Sequence, residues 1–448
     1  MLEVRKMINY SEEIYDLIGI GFGPAGIALG VAIDDHNEGL NEEKSIKALF
    51  LEKANDSTWQ GNMLLPRAHI QHHFFRDLVT PYNPRSKYTF ANYLKEKGRL
   101  FQFGLLGLTP GRIEWNDYIS WVAQQLNQYV IYQQNVIEIN PIKDAEGKID
   151  LVEVITKDVV SNEVKKFKAK NITVNTGRTP HIPEQYKPFM GEKVFHPHFF
   201  KKKIENFKAE DKPNFAVIGS GQNAIEVILS ISNKFPEADV YSINRNLGFK
   251  TYDLGQFSNE VYHPEFVDYF YGLTKEERQK LFDEQMKATN YSAVGPHVST
   301  DLYWKVYEQS IEGINKIHVM RCQEVLDVKD VDNGYELHLK DNYTKEELSI
   351  NVDGIVVCTG FTEEKIPRPL DSILNYLELH KDGDIDISRD YEIATTNEFK
   401  VGVYANGITE RTHGISDATS FSMMALKAKH IFDHVQESKK AKQELLHV

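Results

Sequence analysis

The sequence has 448 residues, 41% of them hydrophobic and 26% charged, which predicts a globular chain of two or three domains and excludes a disordered one. The formal net charge of −13 argues against a nucleic-acid or anionic-membrane partner, because Lys and Arg dominate phosphate binding. No apolar run approaches the roughly 20 residues that span a bilayer. With no apolar signal core and only two cysteines, we expect a reduced, cytoplasmic protein.

The segment 16–32 predicts the strand, glycine turn and helix of a dinucleotide-binding fold. An apolar run ends in Gly21-x-Gly23-x-x-Gly26, and a helix of small residues follows. In such a turn the glycines allow a tight bend, close approach of a pyrophosphate and close helix packing. The next predicted strand ends at Glu52, and a carboxylate there suits the ribose hydroxyls of FAD or NAD. The alternative is a surface glutamate at a strand end.

A second turn of the same kind follows another apolar strand. It reads Gly219-x-Gly221-x-x-Ala224 and again precedes a predicted helix. The strand after that helix ends in Arg245 and not in an acid. A cation there suits a 2′-phosphate, which favours NADPH over NADH. A solvated basic turn is the alternative.

Two such turns predict an α/β fold with two dinucleotide-binding, Rossmann-like domains, one for FAD and one for NADPH. A helical, aromatic segment inserted after the second turn predicts a small substrate-binding subdomain. Strands that end in a Thr-Gly pair, such as Thr359-Gly360, indicate turns near a cofactor. The predicted boundaries are 10–205 and 350–440 for the FAD-binding domain, 206–258 and 312–349 for the NADPH-binding domain, and 259–311 for the helical subdomain.

Motifs of several other enzyme classes are absent from the sequence. No Cys-x-x-Cys pair lies near a helix start, which argues against a disulfide reductase. No zinc-protease motif, Walker lysine or Cys/His cluster is present. The histidine-rich stretch with His69, His72 and His73 is expected to pack over a flavin or to be exposed. We therefore predict no metal site.

Eight segments carry a more specific pattern: GIGFGP, FLEKANDSTWQGNMLLP, RDLVTPYNPRSKYTFANYLKEKGRL, VIGSGQNAIE, FSNEVYHPE, TNYS, VVCTGF and RTHGISD. Over roughly 14–432 the chain resembles the flavin-dependent N-hydroxylating monooxygenases of siderophore biosynthesis, which act on L-ornithine at N5 or L-lysine at N6. Baeyer–Villiger and dimethylaniline-type monooxygenases share the glycine turns but not the stretches DLVTPYNPRSKYTFANYL and THGISD.

The resemblance implies a reaction. NADPH reduces FAD, NADP⁺ stays bound, and O₂ adds at the flavin C4a to give a hydroperoxide that oxygenates the neutral terminal amine of the substrate. The protein then needs no side-chain nucleophile, but it must exclude water and position the amine. The resemblance also implies a homo-oligomer, commonly a tetramer.

The resemblance assigns roles to residues of the matching segments. Gln71 stands beside the flavin ring, and Asn259 near the reacting amine and the nicotinamide ribose. Asn290 holds the α-carboxylate, and Arg76 replaces the usual lysine that pairs with it. Together with the glycine turns, the expected cofactor-binding residues are Gly21, Gly23, Pro24, Gly26, Glu52, Lys53, Trp59, Met63, Gln71, Gly219, Gly221, Gln222, Asn223, Arg245, Thr359, Gly360, His413, Ser416 and Asp417.

Departures from the family pattern concentrate at the substrate pocket. Arg76 keeps the positive charge of the lysine but makes it a planar fork. The stretch 295–298 is inserted, and the segment SDATSFSMM departs from the family's SDTLLS. Ser422 is the expected substrate-binding serine, with Ser420 as the alternative. The reaction type is therefore better defined than the substrate.

Several alternatives remain open at this stage. A diamine such as putrescine or cadaverine, or another amino acid, could be the substrate; a diamine gives Arg76 no carboxylate to bind. An NADPH oxidase, an electron-transfer flavoprotein or a non-catalytic nucleotide-binding protein would also contain both turns. Arg76 could form a surface ion pair, Asn259 and Asn290 could cap helices, and His413 could cap a turn near the flavin.

Overall fold

The computed structural model describes residues 13–253, 255–287, 293–418 and 420–445. Its strands are β1 (Ile14–Tyr15), β2 (Leu17–Ile20), β3 (Ala48–Leu51), β4 (Val130–Ile131), β5 (Gln134–Lys143), β6 (Ile149–Asp158), β7 (Val164–Ala169), β8 (Asn171–Val174), β9 (Thr179–Pro180), β10 (Val194–Phe195), β11 (Phe215–Ile218), β12 (Val240–Ile243), β13 (Lys250–Thr251), β14 (Ala293–Val294), β15 (Ile317–Met320), β16 (Gln323–Val331), β17 (Gly334–Asp341), β18 (Glu347–Val352), β19 (Gly354–Val357), β20 (Phe361–Thr362) and β21 (Gly402–Ala405).

The α-helices are α1 (Pro24–Asn37), α2 (Phe90–Glu96), α3 (Leu100–Leu106), α4 (Arg112–Gln125), α5 (Phe200–Lys203), α6 (Gln222–Lys234), α7 (Pro264–Gly272), α8 (Lys275–Leu281), α9 (Pro296–Glu312), α10 (Glu410–His413), α11 (Ile415–Ala418) and α12 (Met424–Leu445). None of the helices in these described ranges combines the length and the apolar composition that crossing a membrane requires.

The first dinucleotide domain is built on a five-stranded parallel sheet with the strand order β21-β8-β2-β3-β4. Strand β2 is buried along its whole length, which explains its apolar sequence. Gly21 follows with φ +100°, a conformation that favours glycine. A Cβ at Gly26 would lie 2.5 Å from the carbonyl oxygen of Gly21, so only glycine lets α1 pack against this turn.

The second dinucleotide domain has a five-stranded parallel sheet of its own, in the order β10-β19-β11-β12-β15. Gly219 has φ +134° after β11, and a Cβ there would clash with the carbonyl oxygen of Cys358 at 2.3 Å. Two antiparallel sheets accompany the parallel ones: β5 to β7 pack into the core of the first domain, and β16 to β18 into that of the second.

The predicted domain boundaries differ from these pairings at two places. Strands β10 and β19 lie inside the ranges assigned to the FAD-binding domain, yet both pair within the second sheet. The predicted helical subdomain also divides. Helix α9 contributes Val298 and Leu302 to the core of the second domain, whereas Phe270 and Met286 form a small separate core with Ile415 of α11. The segment therefore joins two different cores and does not form one body.

Candidate functional site

One pocket lies where the two dinucleotide domains meet. The first domain supplies residues after β3, on α4 and before α12, and the second supplies the start of α6 and the stretch after β13. The lining residues are Trp59, Gln60, His69, Ile70, Gln71, His72, Arg76, Arg112, Asn223, Tyr252, Asp253, Asn259, Tyr262, Ser420 and Phe421. The structure thus brings Trp59, Gln71, Arg76, Asn223 and Asn259 together, as the sequence predicts for a shared site.

The first glycine turn leaves an open cradle at the start of α1. A Cβ at Gly23 would meet no atom within 4 Å, and no side chain caps the helix. Backbone N–H groups at such a helix start suit a pyrophosphate. The Glu52 carboxylate accepts hydrogen bonds from the N–H groups of Phe22 at 2.6 Å and Ala54 at 2.8 Å, which fix it beside the turn. These residues fit the adenosine half of a dinucleotide.

The second turn presents the same geometry before α6. Gly221 is the cap residue, and no side chain occupies the free N–H groups of that helix. Arg245 is exposed just after the carboxyl end of β12. A solvent-exposed guanidinium at this place is suited to a nucleotide phosphate.

A hydrogen-bond network centred on the buried Gln222 side chain connects the pocket to both domains. The side-chain oxygen of Gln222 accepts bonds from Gln71 Nε2 at 2.8 Å, from the Gly295 N–H at 3.0 Å and from the Tyr252 hydroxyl at 3.3 Å. The Gln222 amide nitrogen donates to Glu226 at 3.1 Å. Because Gln71 belongs to the first domain and Gln222 to the second, this contact holds the Gln71 amide across the domain boundary.

Arg76 lines the pocket and is partly buried. Its Nη1 donates to the Ser422 hydroxyl at 3.0 Å, and its guanidinium carbon lies 5.2 Å from the centre of the Tyr262 ring. Burial lowers the pKa of Arg76, with Tyr262 opposing the shift. Among the described residues no carboxylate lies within ion-pair distance of the guanidinium, which argues against the surface ion-pair alternative.

The two candidate serines have different surroundings. Ser422 is buried, and its hydroxyl is occupied as an acceptor from Arg76. Ser420 lies 2.7 Å from Ser422 between the two hydroxyl oxygens and is the serine that lines the pocket. Ser422 is therefore the hydrogen-bond partner of Arg76 and Ser420 faces the pocket, while the choice of the substrate-binding serine stays a prediction.

The comparisons with known proteins identify the family. A family model described as L-lysine 6-monooxygenase/L-ornithine 5-monooxygenase matches residues 13–363. An L-ornithine N(5)-monooxygenase of Pseudomonas aeruginosa is 33% identical over 423 residues, which cover 93% of each chain. This chain belongs to the L-lysine 6-monooxygenase/L-ornithine 5-monooxygenase family.

Solved structures of this monooxygenase family share the whole fold. The L-lysine 6-monooxygenase of Pseudomonas syringae is 37% identical, with a TM-score of 0.85 over 95% of this chain and 99% of that one. An ornithine N-hydroxylase of Kutzneria, with reduced FAD, NADP⁺ and L-ornithine, is 28% identical, with a TM-score of 0.88 over 95% of this chain and 100% of that one. The predicted fold class, enzyme class and cofactors, FAD and NADPH, are confirmed.

The surroundings of His72 fit a bound cofactor in the pocket of this monooxygenase. Its ring lies between Trp115 and Phe421, with centroids 5.1 Å and 5.2 Å away. Burial lowers the pKa of His72 to about 4, so the imidazole is neutral at pH 7. Its Nε2 is buried and has no hydrogen-bond partner among the described residues. A buried polar atom without a partner in a cofactor-family pocket is consistent with a contact that the cofactor supplies.

His413 is held away from the pocket lining by contacts within the first domain. Its ring stacks on Tyr391 at 4.4 Å, and its Nε2 lies 3.1 Å from the carbonyl oxygen of Arg389. Burial lowers the pKa of His413 to about 4. Asp417, another predicted cofactor-binding residue, is also buried, and its Oδ1 lies 3.4 Å from Lys427 Nζ. A neutral, stacked and hydrogen-bonded histidine favours a structural role over acid–base chemistry.

The remaining predicted residues are distributed around the site. Pro24 begins α1, and Lys53 is exposed beside Glu52. Met63 is buried in the core of the second domain, so its side chain does not line the pocket. Thr359 and Gly360 follow β19, where the Gly360 carbonyl accepts from the His181 N–H at 2.9 Å. Asn290 lies outside the described residues, and Ser416 is buried on α11.

Sequence reasoning missed part of the lining. Arg112 lines the pocket and pairs with Glu226, but both residues look like ordinary charges on amphipathic helices. Tyr252 and Tyr262 follow the second domain's sheet in a segment without regular periodicity. Asn259 lies inside a 3₁₀ helix, 257–262, and donates to the carbonyl oxygens of Asp253 and Gly255, which excludes the helix-cap alternative for this residue.

Proposed function

We propose that this chain N-hydroxylates the terminal amine of L-ornithine or L-lysine, with the α-carboxylate of the substrate held by Arg76. The observation that carries the proposal is the partly buried Arg76 guanidinium. Among the described residues it is hydrogen-bonded only to a hydroxyl, and it lines the pocket that contains Gln71 and Asn259. A guanidinium in a partly desolvated place is costly to leave without an anion. An amino acid supplies that anion, whereas a diamine does not.

The cofactors account for the two turns. Gly23 and Glu52 would hold FAD, and Gly221 and Arg245 would hold NADPH. When bound, FAD accepts a hydride from NADPH and activates O₂ for transfer of one oxygen atom. The chain itself binds and orients. Trp59 and Phe421 pack edge to face at 5.6 Å in the wall of the pocket, and such an apolar wall limits water.

Gln71 and Asn259 position the reacting groups in this proposal. Gln71 is held by Gln222 across the domain boundary, and Asn259 by two loop carbonyls, so neither amide needs to be ordered when the substrate binds. Preorganised polar groups of this kind lower the entropic cost of reaching the reactive geometry. Ser420 offers a further hydroxyl in the lining.

A substrate panel tests the proposal. NADPH oxidation, O₂ uptake, hydroxylamine product and released peroxide are measured together with L-ornithine, L-lysine, putrescine and cadaverine. We expect hydroxylamine to form with at least one of the two amino acids, in near-equal amount to the NADPH consumed, and little product from either diamine. Equal product from an amino acid and its diamine would contradict the role of Arg76. Peroxide without hydroxylated product in every case would favour the NADPH oxidase alternative.

The proposal also covers the oligomeric state of the protein and its place in the cell. We infer a homo-oligomer, a tetramer as the family resemblance implies, that works in the cytoplasm. The assembly is supported by α3 and its neighbourhood, where Phe101 and Leu105 are each 90% exposed and Leu106 is 82% exposed. Large apolar side chains exposed together are typical of protein interfaces. Light scattering of the purified holoenzyme would show four chains if this proposal is right and one chain if it is wrong.

A further inference from the structure

Three side chains of metal-ligand type meet outside the pocket, on the surface of the first domain. His430 and His434 lie on α12, and Asp390 lies on the segment before β21. Their ligand atoms all lie within 4.8 Å of one another. His430 Nε2 is 2.8 Å from Asp390 Oδ1, and the two imidazole rings are 5.0 Å apart.

We propose that Asp390, His430 and His434 form a binding site for a divalent transition-metal ion, with Zn²⁺ as the best-fitting ion. Two histidines four residues apart project from the same face of a helix, which lets both imidazoles reach one ion. Imidazole nitrogen together with carboxylate oxygen suits Zn²⁺ and its neighbours, whereas Mg²⁺ and Ca²⁺ prefer oxygen alone. Three protein ligands leave a fourth position for water or a further carboxylate.

The charges around the three side chains favour a bound cation. The nearby cations are engaged elsewhere: Arg389 pairs with Asp268 at 2.6 Å, and Lys429 with Asp433 at 2.5 Å. The Asp390 carboxylate therefore keeps its negative charge beside the two imidazoles, which is an electrostatic setting that a cation neutralises.

The ion would join α12 to the segment that supports His413. Ser388 Oγ accepts from the N–H groups of Asp390 and Glu392 at 3.2 Å and 3.1 Å, which gives that segment a fixed turn. Tyr391, between these two residues, stacks on His413. The site is therefore structural in this proposal. The sequence does not reveal this cluster, because Asp390 stands 40 residues before His430 in the chain and only the fold brings the two together.

The test uses the full-length holoenzyme without a histidine tag, treated with a chelator and then desalted. Zinc chloride is titrated by calorimetry into the native protein and into His430→Gln and His434→Gln. The matched control is His318→Gln. His318 lies 2.8 Å from Asp239, like His430 from Asp390, but the third group there is Lys316, which is no metal ligand at neutral pH. Thermal melting with and without Zn²⁺ gives a second readout.

We expect one Zn²⁺ per native chain and a rise in melting temperature on adding it. Loss of an outer-sphere partner already weakens metal binding by about 10–100-fold, so loss of either histidine should weaken it at least that much and abolish the melting shift. The control should bind as the native protein does. Absence of one-to-one binding in the native protein, or unchanged binding in both histidine variants, would overturn the proposal and leave a hydrogen-bonded His430–Asp390 pair.

Discussion

Arg112 and Glu226 form a buried ion pair that joins the two dinucleotide domains. Arg112 Nη1 and Nη2 lie 2.7 Å and 2.9 Å from the two carboxylate oxygens, and both side chains are almost fully shielded from solvent. Arg112 also donates to the Met63 carbonyl at 3.0 Å, and Glu226 accepts from Gln222. The pair therefore supports the network that fixes Gln71 in the pocket.

Glu226→Gln should destabilise the protein strongly, because it leaves the Arg112 charge buried without a counter-ion. The expected loss in the free energy of unfolding is about 3–5 kcal/mol, measured by urea unfolding of the holoenzyme. The control is Glu205→Gln, since Glu205 forms an exposed ion pair with Lys234 at the other end of α6. That change should cost less than about 1 kcal/mol. Equal effects of the two substitutions would contradict the assigned role of the buried pair.

The same variant should lose coupling between NADPH oxidation and hydroxylation. Gln222 would lose its charged acceptor, and Gln71 would be held less firmly as a result. We expect more peroxide and less hydroxylamine per NADPH than in the native enzyme, at temperatures where the variant is folded. Unchanged coupling in a folded Glu226→Gln enzyme would separate the ion pair from the chemistry.

The two glycine turns should fail differently when a methyl group is added. Gly23 has φ −74° and open space around it, so Gly23→Ala should fold but block the cradle and weaken FAD by about tenfold or more. Gly221 has φ −88°, so Gly221→Ala should also fold, keep its yellow colour and lose reduction by NADPH. Circular dichroism, flavin content and stopped-flow reduction distinguish these outcomes. Equal loss of FAD in both variants would remove the division into two sites.

Gly26→Ala supplies the contrast, because the added methyl group would lie 2.5 Å from the carbonyl oxygen of Gly21. It should lower the melting temperature even of the FAD-free protein, which Gly23→Ala should not.

A pH-dependent contribution to stability is expected from Glu363, which is buried near Arg178 and Glu410. Burial and the Glu410 carboxylate raise the pKa of Glu363 from 4.5 to about 7, with Arg178 and Arg411 opposing the rise. The folded chain therefore holds this proton more tightly than the unfolded chain. The resulting stabilisation is complete below pH 4.5 and is lost as the pH rises through 7.

Glu363→Gln mimics the protonated side chain and tests this sign. The difference in melting temperature between variant and native protein should increase in favour of the variant as the pH rises from 4.5 to 7, and should level off above that. A difference that stays constant over this range would show that Glu363 titrates normally.

The parts of the fold that the sequence predicts are those encoded by neighbouring residues. Each turn is specified within about ten residues by a buried strand, a glycine-rich turn and a helix. The pairing of β19 with β11 was not predictable in this way, because both are four-residue apolar strands separated by 135 residues of chain. Length and hydrophobicity alone do not say which sheet such a strand joins.

The site shows the same contrast between features encoded by neighbouring residues and features that arise only in the fold. Gln71, Arg76 and Asn259 were predicted because they stand in recognisable segments, whereas Arg112 and Glu226 are charges whose burial arises only when two domains meet. Ser422 and Ser420 show that the sequence alone does not distinguish two neighbouring serines. The two serines are equivalent in the sequence, and only the hydrogen bond from Arg76 distinguishes the orienting hydroxyl from the one in the lining.

Arg76 is the residue on which the proposed substrate depends, and steady-state kinetics of Arg76→Ala test it most directly. A guanidinium–carboxylate pair of about 1.5–3 kcal/mol predicts a rise in KM for the amino acid of about tenfold to a hundredfold. Flavin reduction by NADPH should change little, and peroxide release should increase. Arg76→Lys should recover part of the affinity, and Arg85→Ala, an exposed arginine of the same segment, should leave KM unchanged. An unchanged KM for the amino acid in Arg76→Ala would contradict the account and return the diamines to equal standing.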